Sequence, residues 1–319
     1  MGKLSTPRKG SLQFWPRVRA KKFLPRVNWN AIPTQQKSGF LGFIGYKAGM
    51  KSAIVRDETE HSLTKKKRIA IPITIIECPK IKILSVRFYK NKKVVSEVLS
   101  KGLDKELKRK LKIPKEETAT EKEIEKIEKE KEFDDVRIVA YSTVKSIGIK
   151  KTPDLGEIAL SGTKEDKLKL IKEKIGKEIS VSEVFGKELI DSRGITKGYG
   201  AQGPVKRFGI KLKFHKSEKG VRRPGSIGPW HPSRVTFRVP MAGQTGFFTR
   251  VSYNQKILLI GNSKDNPLGE LKNYGRTNGE FLIVKGSIQG PAKRQIILTK
   301  ALRPTKKQEK LKYEIVEIR

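Results

Sequence analysis

Cysteine is almost absent. The single thiol, Cys78, makes an internal disulfide impossible, which fits a reducing compartment. Three histidines, His61, His215 and His231, together with one cysteine cannot assemble a soft-ligand metal site. Long apolar runs are missing too. The longest mostly apolar stretch, 69–76, is broken by Pro72 and falls far short of the ~20 residues of a membrane helix. The N-terminal residues have no apolar signal core. Acidic residues are scarce: 33 Asp and Glu face 71 Lys and Arg, for a net charge of +38 in 319 residues. Such a charge draws a chain to polyanions. Nucleic acid is the first reading and an anionic membrane surface the second. The hydrophobic content of 36% is low for a compact enzyme and too high for a wholly disordered chain.

The excess charge is unevenly placed. Residues 1–37 hold nine cations and no acid. Four prolines there disfavour helix, and Phe14, Trp15, Phe23 and Trp29 interleave with the cations. The segment 1–38 reads as an extended arm whose aromatics bury against a partner and whose cations pair with phosphates. From Gly39 the texture becomes β-branched and punctuated by Gly and Pro (FLGFIGYKAGMKSAIVRD, RIAIPITIIECP, KIKILSVRFYK), which is strand and turn chemistry. Residues 101–132 carry eleven cations and ten acids, a balance that moves the polyanion contacts elsewhere. Within them 121–132 reads as a solvated helix with a thin Ile124/Ile127 stripe. Residues 135–143 read as a strand, and 164–178 as an amphipathic helix with Leu168, Ile171 and Ile175 on one face. Thus 91–178 forms an α/β insertion, flanked by β-rich 39–90 and 179–319. After Glu178 the segments EISVSEVFG, KILLIGN, EFLIVKGSIQG and RQIILTKAL read as short strands of a barrel or sandwich.

The most unusual stretch is 197–250, with twelve cations, nine glycines and one acid, Glu218. So long a segment without periodicity is functional or disordered. Its composition suits a basic finger that threads between phosphates and orders when RNA surrounds it. Residues 198–203 match G-x-G-x-x-G. The preceding DSRGITK reads as loop and the following VKRFGIKLKF as extended, so the flanks of a dinucleotide site are missing. His231, in GPWHPSR, has no nearby carboxylate to orient it as a general base, and reads as a local stacking or hydrogen-bonding residue. Trp230 reads either as an anchor folding the loop back on itself or as a stacking platform at its tip. Cys78 reads as a small core residue.

Four blocks carry a resemblance: PRKGSLQFWPRVRA (7–20), GFLGFIGYKAGM (39–50), VFGKELIDSRGITKGYGAQGPVKRFGIKL (184–212) and IGPWHPSRVTFRVPMAGQTGFF (227–248). With them the chain resembles the ribosomal protein L-three family, the third protein of the large ribosomal subunit, in its archaeal/eukaryotic branch. The resemblance implies a mainly β fold with an α/β insertion: a six-stranded translation-protein-type β-barrel, a long basic finger loop and an extended N-terminal arm. It implies a non-enzymatic, cytoplasmic structural constituent of the large subunit, without cofactor or metal. That constituent binds ribosomal RNA in its 3′ region and nucleates early assembly. Its finger points towards the peptidyl-transferase centre with Trp230 at the tip. Implied neighbours are the fourteenth protein of the large subunit and an L-twenty-four-e type protein. Eukaryotic relatives carry a methylatable histidine twelve residues before the tip tryptophan; here Glu218 stands there, so that modification is not expected.

The RNA-binding set expected from both readings begins in the arm with Lys3, Arg8, Lys9, Trp15, Arg17, Arg19, Lys21, Lys22 and Arg26. It continues in the finger with Lys197, Lys206, Arg207, Lys211, Lys213, Lys216, Lys219, Arg222, Arg223, Trp230, His231, Arg234, Arg238, Gln244 and Arg250. Two other function classes set against this are an RNA-modifying enzyme built on His231 and the glycine loop, and a basic membrane-surface protein. The first lacks a cofactor site or an acid/base pair. The second lacks an amphipathic basic helix.

Overall fold

β-Branched runs become strands wherever they can bury a face, and most of the chain does so. The structure is a computed structural model describing residues 8–32, 38–114, 120–216 and 219–319. In chain order the first half contains β1 (Gly39–Phe40), β2 (Gly42–Asp57), β3 (Arg68–Cys78), β4 (Ile81–Lys90), β5 (Lys93–Leu99), α1 (Thr120–Glu130), β6 (Asp135–Ser142), β7 (Leu155–Ser161) and α2 (Lys164–Lys174). The second half contains α3 (Val181–Val184), β8 (Leu189–Ile195), β9 (Gly198–Gln202), α4 (Pro204–Phe208), β10 (Gly243–Gly246), β11 (Thr249–Asn262), β12 (Glu280–Lys285), β13 (Gln295–Lys300), α5 (Lys306–Glu309) and β14 (Tyr313–Ile318). The fold is mainly β. It divides into two compact units, one within 1–22 and 195–249, the other comprising 23–194 and 250–319.

In the larger unit, seven strands follow the order β13-β8-β11-β12-β3-β2-β14. Strand β2 is long enough to serve two partners along one edge. Its first half pairs with β13 (Ile44↔Ile297) and its second half with β14 (Val55↔Ile315). The order of pairings therefore returns from β2 to β13. A second sheet runs β1-β7-β6-β4-β5.

Between the sheets lies one continuous core, drawing Phe43, Ile44 and Tyr46 from β2, Val86 and Phe88 from β4, Ile138 from β6, Leu282 from β12 and Leu298 from β13. Each fully buried side chain of this size contributes about 1.5–3 kcal/mol. Two of the four glycines of GFLGFIGYKAGM are dictated by space. A Cβ on Gly42 would stand 2.6 Å from the Trp29 ring, and one on Gly45 would stand 2.7 Å from Ile76.

Helices α1 and α2 cover the second sheet as their stripes require: Ile124, Leu168 and Ile171 are buried. Thr163 caps α2, accepting the Asp166 N–H at 3.3 Å. The charges in this region neutralise one another. Lys167 meets Asp135 at 2.7 Å, Arg137 meets Glu157 at 3.3 Å and Lys82 meets Asp104 at 3.1 Å. Cys78 is buried on β3, and burial pushes its thiol pKa up.

Three local expectations are corrected. EISVSEVFG is not all strand: Val181–Val184 form a helical turn, because Ser180 and Glu183 have capping-box spacing and Glu183 accepts the Ser180 N–H at 3.3 Å. DSRGITK is not loop; it lies largely in β8, whose Ser192 and Arg193 pair with Leu298 and Ile297. VKRF is not extended but forms α4, with Pro204 at its first position, where a fixed φ and an absent N–H are favourable.

Candidate nucleic-acid interface

The smaller unit is built where cations and glycines are densest. Residues 1–22 and 195–249 contain eighteen Lys and Arg and one acid, Glu218; Lys3 and Glu218 lie outside the described residues. The segment, whose sequence lacks periodicity, contains a short ribbon. Strand β9 pairs antiparallel with β10, with Gln244 opposite Ala201. Gly246 closes this ribbon with φ +69, and a Cβ there would lie 2.0 Å from the Lys197 carbonyl oxygen. Only glycine fits such a place. The G-x-G-x-x-G glycines thus lie in an antiparallel ribbon followed by a five-residue helix, not in the parallel βαβ turn of a dinucleotide site.

The arm lies against the finger through its aromatics. Trp15 stacks on Phe208 with centroids 5.7 Å apart and meets Phe237 edge-on at 5.9 Å. Arg17 donates to the Arg207 carbonyl at 2.6 Å and holds its guanidinium 4.2 Å from the Phe208 ring centroid. Arg8 donates to the Arg238 carbonyl. Arg19 covers the Phe247 ring at 5.1 Å, and the Ala20 N–H donates to the Phe247 carbonyl at 2.9 Å. Phe208 is buried although α4 is a single turn, so the arm supplies much of its cover.

These contacts sort the expected site residues. Arg17 and Arg207 are partly spent on structure: Arg207 donates to the Gln244 and Met241 carbonyls, each at 3.0 Å. Gln244 donates to the Gly246 carbonyl at 3.0 Å. Lys206 stands 4.8 Å over the Tyr199 ring and Arg238 stands 5.7 Å over the Phe237 ring. Lys9, Lys21, Lys22, Lys197, Lys211, Lys216, Lys219, Arg222, Arg223 and Arg234 are exposed, and Lys213 is half-buried. Arg26 and Arg250 belong to the larger unit.

Desolvation, and secondarily the neighbouring Arg8 charge, lower the Arg17 pKa; desolvation and then Arg17 do the same to Arg207. No carboxylate is present among the described residues of this unit to relieve that crowding. An added phosphate would find donors already in place.

Trp230 is 87% exposed. The structure therefore does not use it as an anchor that folds the finger back on itself. His231, expected to stack or hydrogen-bond locally, is exposed and does neither among the described residues. No group of three or more metal-ligating side chains occurs among the described residues. No described helix is long and apolar enough to cross a membrane. Tyr199 and Phe247, which carry Lys206 and Arg19 on their rings, were not in the expected set; their positions beside paired glycines are the only local signal.

The family model for ribosomal protein L3 matches residues 1–318. The chain is 41% identical over 315 residues to the large ribosomal subunit protein uL3 of Methanocaldococcus jannaschii, covering 94% of this chain and 92% of that protein. Against the protein of the same name from Archaeoglobus fulgidus it is 41% identical over 316 residues, covering 95% and 94%. The Methanococcus vannielii protein, also named uL3, is 41% identical over 315 residues, covering 95% and 93%. The chain belongs to the ribosomal protein L3 family.

Proposed function

We propose that this chain, a structural and non-enzymatic constituent of the large ribosomal subunit in the cytoplasm, binds large-subunit RNA through its arm and finger. The observation that carries this reading is the charge of the smaller unit, eighteen cations against one acid, with many of those cations turned outward. Each phosphate neutralised releases condensed counterions, so binding is strong and salt-dependent. Recognition follows the phosphate path and RNA shape, with exposed Trp230 and Phe214 (79% exposed) available to stack on unpaired bases.

The larger unit carries most of the strands. We read its returning order of pairings, β13-β8-β11-β12-β3-β2, as the six-stranded barrel, and the region of 91–178 as its insertion. On the resemblance, the RNA contacted lies in the 3′ region and around the peptidyl-transferase centre. Binding there comes early in assembly, and the fourteenth large-subunit protein and an L-twenty-four-e type protein are neighbours.

The test is sedimentation of native lysate through sucrose gradients at moderate and then high salt. Co-migration with the large subunit that survives the salt wash supports a protein threaded into RNA; release at modest salt overturns it. The Arg222→Ala/Arg223→Ala double variant should weaken assembly or alter chemical probing of the RNA near the catalytic centre.

A further inference from the structure

The turn joining β2 to β3 is a second charged feature, on the larger unit. At its root lies the Asp57 carboxylate, 2% exposed. It accepts the Thr59 N–H at 2.9 Å, the Ser62 hydroxyl at 2.8 Å and the Thr64 hydroxyl at 2.5 Å. The Lys66 N–H donates to the Asp57 carbonyl at 2.6 Å, and the Lys312 N–H reaches the Thr59 hydroxyl at 3.0 Å. Two non-glycine residues, His61 and Lys66, have left-handed φ values of 61° and 64°, a cost tolerated where surrounding structure over-determines the backbone.

What this clamp presents is unusual. Leu63 is 97% exposed. A lone exposed leucine needs no explanation, but this one rides on a turn held by several side-chain and backbone hydrogen bonds. Immediately after it come Lys65, Lys66, Lys67 and Arg68, all exposed and without an acidic partner in the described structure. Elsewhere in this unit many cations are paired with carboxylates. Four consecutive like charges repel one another; of the acids in the same turn, Asp57 is held by Thr59, Ser62 and Thr64, and Glu60 lies 3.6 Å from Lys312.

We propose that the Asp57-clamped turn, residues 58–68, is an RNA-contact site additional to the arm and finger. Lys65–Arg68 bind backbone phosphates, and Leu63 packs on the exposed face of a base or sugar. The proposal rests on the ribosomal reading above. RNA is favoured over a protein partner by charge. Even without the arm and finger, the larger unit holds 53 Lys and Arg against 32 Asp and Glu, and this turn has the excess in one uninterrupted run. The clamp holds the turn in place before binding, so less conformational entropy is lost than when a loose loop is ordered.

The test uses Leu63→Cys in the full chain, labelled with an iron–EDTA reagent and incorporated into large subunits. The buried native Cys78 leaves the unmodified chain as an unlabelled control. Hydroxyl radicals generated at position 63 should cut one local patch of large-subunit RNA. Lys65→Gln/Lys66→Gln/Lys67→Gln in the otherwise unchanged protein should lower the magnitude of the salt slope of RNA binding by about 2–3, the loss of three phosphate contacts. Incorporated protein whose probe leaves RNA uncut, or reacts with a neighbouring protein instead, overturns this proposal alone. Failure of the wild-type chain to enter the subunit overturns the ribosomal reading and this proposal with it.

Discussion

Arg17 and Phe208 lie 191 residues apart in sequence, yet the Arg17 guanidinium sits 4.2 Å from the Phe208 ring centroid while donating to the carbonyl next door, that of Arg207. This contact fastens the arm to the finger. It also explains why a ring is buried on a helix of one turn: the arm, not the helix, covers it.

Phe208→Ala should therefore release the arm. Losing a buried phenyl ring costs about 3–5 kcal/mol, here concentrated in the smaller unit. Amide exchange at Ala20, whose N–H bonds the Phe247 carbonyl, should accelerate, while exchange in β3 and β12 stays slow. Unchanged protection at Ala20 would contradict this anchoring role.

Gly246→Ala should open the β9–β10 ribbon. The new Cβ meets the Lys197 oxygen at 2.0 Å on a backbone of φ +69, so the chain has to move and the cost is about 1–3 kcal/mol or more. Residues Gly198–Gln202 should lose amide protection, and wild-type exchange there would show the site tolerates a side chain.

Trp230→Ala separates folding from function. With 87% of the residue exposed, its removal should shift stability by no more than about 0.5 kcal/mol. Chemical probing of RNA in subunits carrying the variant should change around the finger. A large drop in Tm would mean that the ring is anchored after all.

Asp57 gives the turn a pH dependence with a definite sign. Burial by itself raises a carboxyl pKa, but hydrogen bonds from Thr59, Thr64 and Ser62 outweigh it and hold Asp57 well below the usual carboxylate range. A depressed folded-state pKa stabilises above the unfolded value of about 3.9 and loses that contribution as pH falls towards the folded one. The stability gap between wild type and Asp57→Asn should be widest near neutrality and narrow progressively below about pH 4. A gap independent of pH would rule out the carboxylate as its source.

The uneven charge, the mainly β texture and the two helices near 121–132 and 164–178 were determined by the sequence itself. They rest on local quantities: charge density, glycine content, β-branching, and the spacing of Ile124 and Ile127 or of Leu168 and Ile171. The S-x-x-E of the Ser180 turn and Pro204 at the first position of α4 were equally local signals, masked by their β-branched and basic surroundings. Only the tertiary structure decided which strands meet. Pairing Ile44 with Ile297 and Val55 with Ile315 joins segments more than two hundred residues apart, and any half-buried β-branched strand satisfies a neighbour's hydrogen bonds. It also decided that Trp15 and Arg17 seat on Phe208 while Trp230 stays outside. All three are cation or aromatic in a basic segment, and composition does not distinguish them. What does is whether a complementary surface exists within the same chain, and that surface appears only once β9, α4 and β10 have formed.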